Sequence, residues 1–311
     1  MRGLAVLHPG ALYRRTIPEP LREPLWHVRR LLRACAAGPA VERRRHWAYV
    51  RRRLGWYRQV VRVEGLALRV DLRDEGVGVP LYVRRAYEPR ETAFLRRALR
   101  PGMTVVDVGA NLGYYALLAG SAVGPGGRVL AVEPDPSNFG LLTENLRRNR
   151  AGNVCPVNAA LGAAPGTALL HRSPDNFGDH RLFGDGTRPT VPVPVAVFDE
   201  LVDRLGFLDF VKIDVQGYEH HVVRGMTRTL AGGGVGTVLA EFWPYGIARA
   251  GGDPGQFVAA FERAGYRPFV LRDDLGLEPV EYAGLDRRLP AFDPNTPDGS
   301  YLNLVFTRPE G

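Results

Sequence analysis

VVDVGANLGYYALL, residues 105–118, is the stretch on which the fold turns. Read with Met103 and Thr104, its front half is a short apolar run ending in an acid, the pattern of a buried strand, and its back half is apolar over a helical length. Between them lies Gly109-x-Asn111-x-Gly113, whose glycines permit a tight turn and let a ligand approach the main chain. Dinucleotide enzymes also use a glycine-rich turn between strand and helix, so the turn alone is ambiguous. Two details separate the cases: the third glycine of the dinucleotide pattern is missing, and Asp107 stands directly before the loop. A carboxylate there repels a pyrophosphate and attracts a cationic or zwitterionic ligand.

Outward from this turn, apolar runs alternate with helical segments. RVLAVE (128–133) precedes PSNFGLLTENLRRN (136–149), and NVCPVNAAL (153–161) runs into an irregular stretch. FDELVDRLG leads into LDFVKID (208–214), YEHHVVRGMTRTL into GTVLAEF (236–242), and PGQFVAAFERAG into YRPFVLRD, before a last strand, YLNLVFTR (301–308). This alternation predicts an α/β fold, a doubly wound, mostly parallel sheet with helices on both faces. VVRVEGLALRVDL (60–72) predicts a hairpin around Glu64-Gly65. Stretches 172–192 and 273–300, rich in Gly, Pro, Asp and Asn, are expected to be long functional loops. The second strand ends at Glu133, where an acid accepts both hydroxyl hydrogen bonds of a ribose. Asp135 is expected to cap the helix opening at Pro136. An adenosine carrying a sulfonium amino acid suits both acids, with its ribose on Glu133 and its ammonium near Asp107.

At 311 residues and 45% hydrophobic, the chain can bury one large core or two small ones, and no apolar run approaches the ~18 residues of a membrane span. The opening MRGLAVLHPGALYRR starts like a secretory signal, but His8 and Pro9 interrupt it, and a cytoplasmic location is expected. Cys35 and Cys155 have neither CxxC nor Cys/His spacing, so no zinc site or disulfide framework is indicated, and both are expected to be buried. The formal charge of +8 is concentrated in residues 1–62, with fifteen arginines against three glutamates, so the remainder is acidic overall. No nucleic-acid partner is expected. The chain divides into a basic, mainly helical N-terminal extension (1–62) and a catalytic domain (63–311). In PLWHVRRLLRAC (24–35), Leu25, Val28, Leu31, Leu32 and Cys35 share one helical face opposite arginines. Such a segment suits peripheral docking on an anionic membrane, or on an acidic carrier protein.

YEPRETAFLRRALRPGMTVVDVGANLGYYALLAG, GRVLAVEPDPSNFGLLTENLRRN, NAALG, VKIDVQGYEHHVVRGM and VLAEFWP occur in that order across residues 80–245. In order and spacing they resemble the FkbM-type methyltransferases, which use S-adenosylmethionine (SAM). The resemblance implies a class I methyltransferase fold with a seven-stranded, Rossmann-like sheet. It implies O-methylation of a hydroxyl or carboxylate on a sugar, glycan or polyketide-like natural product. By position, it implies that Asp107, Gly109, Asn111 and Gly113 line the methionine end of SAM, that Glu133 holds the ribose, and that Asn138 and Ala160 lie near the adenine. Where the family often shows Asp-Val-Glu-Gly, this chain has Asp214-Val215-Gln216-Gly217, so no carboxylate role carries over to position 216.

One residue needs its own explanation. Of 41 basic residues counted as Lys plus Arg, Lys212 is the single lysine. In the class I fold its strand neighbours VVDVG at the switch point where ligands bind, so Asp214 lies across from Gly109 and Lys212 shares its face. Lys212 is expected to pair with a buried carboxylate and tune Asp214, in a space unsuited to a planar guanidinium. Asp214 is the leading candidate for the base that assists in-line methyl displacement. His180, in SPDNFGDHRLFGDG (173–186), is expected in a lid over the acceptor. Glu241, ending the next strand, is expected to face the acceptor or, with Asp214, to hold a divalent ion. Two carboxylates are not a metal motif, and a metal is not favoured. Two other readings stand beside this one: a nicotinamide-dependent oxidoreductase, which leaves Asp107 and VKIDVQG unexplained, and a non-catalytic partner protein with a SAM-type fold.

Overall fold

The computed structural model describes residues 39–184, 186–285 and 301–308. A helix over Ala40–Arg53 leads into the hairpin β1 (Arg58–Val63) and β2 (Leu66–Asp71). Its two turn residues, Glu64 and Gly65, both have positive φ, as a tight turn between twisted strands requires. Then follow β3 (Thr104–Val108), β4 (Arg128–Val132), β5 (Val154–Val157), β6 (Ala160–Gly162), β7 (Gly166–His171), β8 (Thr190–Val197), β9 (Leu208–Ile213), β10 (Val235–Phe242), β11 (Arg267–Leu271), β12 (Leu277–Pro279) and β13 (Leu302–Thr307). The main sheet has the order β12-β11-β13-β10-β9-β3-β4-β5. The strands from β5 to β10 are parallel, while β13 runs antiparallel to both neighbours. The seven expected strands are present, and the short β12 adds an eighth at the edge.

Parallel strands buried on both faces are apolar on both sides, and this sheet divides accordingly. Val105 and Phe210 face one core with Leu117 and Leu118 of the helix Tyr114–Val123 and with Leu68 and Val70 of the hairpin. Val106, Val211 and Ile213 face a second core with Val222, Phe257 and Phe261. By this alternation Asp107 and Lys212, which are register partners, share the first face.

Two asparagines of the helix Pro136–Arg148 and its C-terminal cap fasten the hairpin to the sheet. Asn145 accepts the Arg69 N–H at 2.6 Å and donates to the Arg69 carbonyl at 3.0 Å; Asn149 treats Ala67 the same way at 2.8 and 2.9 Å. The boundary expected after residue 62 therefore falls inside β1. Val61 and Val63, with Ala48 before them, belong to the core that holds Phe94 and Val105, so the described part of the front is built into the domain. The helix expected over 24–35, with Cys35, lies outside the described residues.

Two further expectations are corrected. Cys155 is exposed, because β5 is the edge strand and alternation turns Val154 inward and Cys155 outward. The irregular stretch after Leu161 contains a second sheet, ordered β6-β8-β7, so the loop expected over 172–192 ends at Thr190. Among the described residues no helix is long and apolar enough to cross a membrane.

Candidate active site

The site begins where the tips of β3 and β9 touch. Gly109 has a φ of 86°, and a Cβ there would lie 1.8 Å from the Asp214 carbonyl oxygen, so the contact tolerates only glycine. Asn111, also at positive φ, donates its N–H to Glu133 Oε2 at 2.8 Å. The other carboxylate oxygen of Glu133 accepts the Asp135 N–H at 2.9 Å. Glu133 at the tip of β4 thus ties two loops together, and burial still pushes its pKa up to about 8. Asp135 caps the next helix by accepting the Ser137 and Asn138 N–H groups, as the sequence suggested, and pairs with Arg172 Nε at 2.8 Å. Glu133, Asn138, Ala160, Leu170 and Leu182 line a narrow cavity roofed by Phe177 and His180. Asn138 and Asn111 both donate side-chain N–H groups to the Phe177 carbonyl, at 2.9 and 3.1 Å.

A second cavity, of about 510 Å³, opens on the other side of Gly109, Asn111, Asp214 and Gln216, which line both. Lys212 is 6% exposed, donates to Asp214 Oδ2 at 2.8 Å and stands 4.7 Å from the centre of the Tyr115 ring. Burial depresses its proton affinity, yet Asp214, Asp107 and Glu88 together raise its pKa above the usual lysine range. Gln216 donates one amide nitrogen to both Asp214 Oδ1 at 2.8 Å and Glu241 Oε2 at 3.0 Å. Glu88, at a left-handed φ of 38° before the helix Pro89–Ala98, accepts the Tyr115 hydroxyl at 2.7 Å. Burial first, then the charge of Asp214, pushes Glu88 up and Glu241 well above the ordinary carboxylate range.

Asp214, Lys212 and Glu241 are thus brought together. Asp107 lies beneath them rather than in either cavity wall. Burial raises it to about 6; the Ala116 N–H favours its charged form but falls short of hydrogen-bond geometry to either oxygen. Gly113 turns the chain into the helix at a φ of 91°. His180, expected over the acceptor, lines the cavity of Glu133 and Ala160 and not the one that Lys212 and Glu241 line. Its Nδ1 accepts the Ser173 N–H at 3.0 Å and burial lowers its pKa to about 4, leaving a neutral packing residue. Glu88 and Tyr115 were missed, because a glutamate aimed inward by positive φ carries no sequence signal. Gln216 was marked only by its departure from the family pattern. Among the described residues no group of three His, Cys, Asp or Glu side chains is arranged to hold a metal ion.

Strand order reversing between β3 and β9, an antiparallel β13 beside β10, and paired cavities at the carboxyl ends of the strands define the class I methyltransferase fold. Residues 107–268, just over half of the chain, match the model of the methyltransferase FkbM domain, and the chain belongs to that family. It is 33% identical over 127 residues to hexuronic acid methyltransferase AglP of Haloferax volcanii, a match covering 40% of this chain and 50% of that protein. The chain thus spans half the length of this relative. Among solved structures it is similar to methyltransferase FkbM from Methylobacillus flagellatus, at 13% identity and a TM-score of 0.40, over 92% of this chain and 60% of that one. It is also similar to Aeropyrum pernix fibrillarin in complex with natively bound S-adenosyl-L-methionine, at 15% identity and a TM-score of 0.41, over 80% and 82% of the two chains.

Proposed function

We propose that this chain binds SAM in the first cavity and transfers its methyl group to an oxygen of an acceptor in the second, a hydroxyl of a sugar, glycan or polyketide-like product. The observation that carries this reading is the meeting of two cavities at Asp214 and Gln216, with Glu133 in the wall of the narrower one. The residues present fit the cofactor. Glu133 offers carboxylate lone pairs to a ribose diol, Ala160, Leu161 and Leu170 supply apolar walls for a purine, and Asp214 beside the Gly109 backbone suits a cationic sulfur. Bound there, SAM supplies a methyl group activated by positive charge.

The rest of the work belongs to the chain. Lys212 and Gln216 occupy both oxygens of Asp214 and fix it as an oriented anion that aligns the acceptor. Glu241 gives one oxygen to Gln216, and its other oxygen would take the hydroxyl proton as the acceptor oxygen bonds the methyl carbon and the carbon–sulfur bond breaks, the neutral thioether leaving. Burial and the neighbouring charge of Asp214 raise the proton affinity of Glu241, so once ionised it is a stronger base than an exposed carboxylate. Turnover should therefore rise with pH as Glu241 ionises. Glu241→Gln should lower kcat by about 10²–10⁴-fold, while S-adenosylhomocysteine (SAH) still binds in calorimetry. Native protein that gives neither heat nor thermal protection with saturating SAH would refute the cofactor assignment. The hexuronic acid in the name of the Haloferax relative supports a carbohydrate acceptor.

A further inference from the structure

We infer that the second cavity selects an acceptor with no negative charge beside its reacting hydroxyl, a neutral or amino-bearing polyol such as a sugar ring, and rejects its carboxylate counterpart. The inference rests on the methyltransferase reading above and narrows it from oxygen acceptors in general to uncharged or cationic hydroxyl compounds.

Three carboxylates from three elements line the space: Glu88 before the helix Pro89–Ala98, Asp214 beyond β9 and Glu241 on β10. Their backbones hold them there. The left-handed φ of Glu88 is unusual for a residue with a side chain, and such strain persists only where the surroundings impose it. The donors closest to these acids are spent on them. The Lys212 ammonium goes to Asp214, the Tyr115 hydroxyl to Glu88, and the Gln216 amide to both Asp214 and Glu241. Arg84, the other cation among the described lining residues, is exposed. Beside these three acids the interior therefore offers lone pairs, which hydroxyl and ammonium groups can use and a carboxylate cannot. Tyr87 and Tyr301 add ring surface of the kind that packs on a sugar face. A uronate seated here would set its carboxylate lone pairs against those of three acids and its charge against Asp214, with no uncommitted buried cation among the described lining residues to meet it.

The test uses the full chain, labelled SAM, and three glycosides that differ at one substituent: methyl β-glucopyranoside, its 2-amino analogue and the corresponding glucuronide. SAH binding is measured first. The neutral or amino glycoside should exceed the glucuronide in kcat/KM by about tenfold or more, since like charges juxtaposed in a site are strongly disfavoured. Glu88→Gln should shrink that ratio while SAH affinity, the control for folding, holds. A glucuronide that reacts as fast as the neutral sugar overturns the inference, and so does a ratio that Glu88→Gln leaves unchanged. If SAH binds and none of the three reacts, the sugar-ring assignment falls while the methyltransferase reading survives. If SAH does not bind, both fall.

Discussion

Lys212 shows what one buried cation does for this site. Its ammonium lies among Asp214, Asp107 and Glu88, over the Tyr115 ring, in a space without a second cation to replace it among the described residues. Removing one member of such a buried group leaves uncompensated charge, so Lys212→Met should cost about 3–5 kcal/mol in urea unfolding. Lys212→Arg should recover only part of that, because the planar fork cannot sit between the Tyr115 ring and Asp214; full recovery would show that any cation suffices. Glu133 carries two opposed pH signs. Its pKa of about 8 in the fold, against 4.5 ordinarily, means that its contribution to the stability of the cofactor-free fold is full below pH 4.5 and is lost as pH rises through 8. Ribose hydroxyls favour its ionised form, so SAH affinity should climb toward pH 8 and then level off. Calorimetry across that range should find the climb absent in Glu133→Gln. At this scale the sequence revealed residues with a local pattern, such as Asp135 before Pro136 and the lone lysine. It concealed Glu88, whose role depends on contacts across the sheet.

Elements were legible wherever both faces are buried. The apolar runs at β3, β4, β9 and β10 announce themselves because two cores demand it. β8 did not, since Pro192 and Pro194 argue against a strand. They are tolerated because that part of β8 pairs only with β7, while β6 joins at Val195–Val197. The docking of β2 was equally hidden. Four residues of helix advance about 6 Å and two residues of strand about 6.6 Å, so Asn145 and Asn149 can serve Arg69 and Ala67 as an extra strand would. Asn145 also donates to the Leu112 carbonyl, so it joins the hairpin to the glycine-rich loop of residues 109–113. Asn145→Ala leaves several backbone groups unpaired and should destabilise the fold by about 2–4 kcal/mol. It should also speed proteolysis at the Glu64-Gly65 turn relative to wild type. Loss of stability without faster cleavage there would mean the hairpin is held by its apolar face alone.

For the whole molecule, the decisive feature is that the cavity proposed for the cofactor is tight. Its free space is about 50 Å³, against roughly 300–1,000 Å³ for pockets that hold small molecules, so the roof must lift before a nucleoside enters. That roof is pinned on two sides. The Phe177 N–H donates to Asp74 Oδ1 at 3.0 Å, and the Glu75 N–H reaches the Asp175 carbonyl at 2.6 Å, while Asn111 and Asn138 hold the Phe177 carbonyl from the cofactor side. Asp74 also accepts the N–H groups of Gly76, Val77 and Gly78, so a single buried carboxylate organises the turn that carries the pin. Opening is then a local event whose cost lies in a few hydrogen bonds rather than in the sheet, the regime in which loops move without global unfolding. Asp74→Ala should raise amide exchange over residues 173–180 and quicken both association and dissociation of SAH. Dissociation should gain more, because the closed state holds the ligand and loses its latch. A roof that stays protected in this variant, or an association rate that does not move, would mean that SAH enters by another route and that the pin serves stability alone.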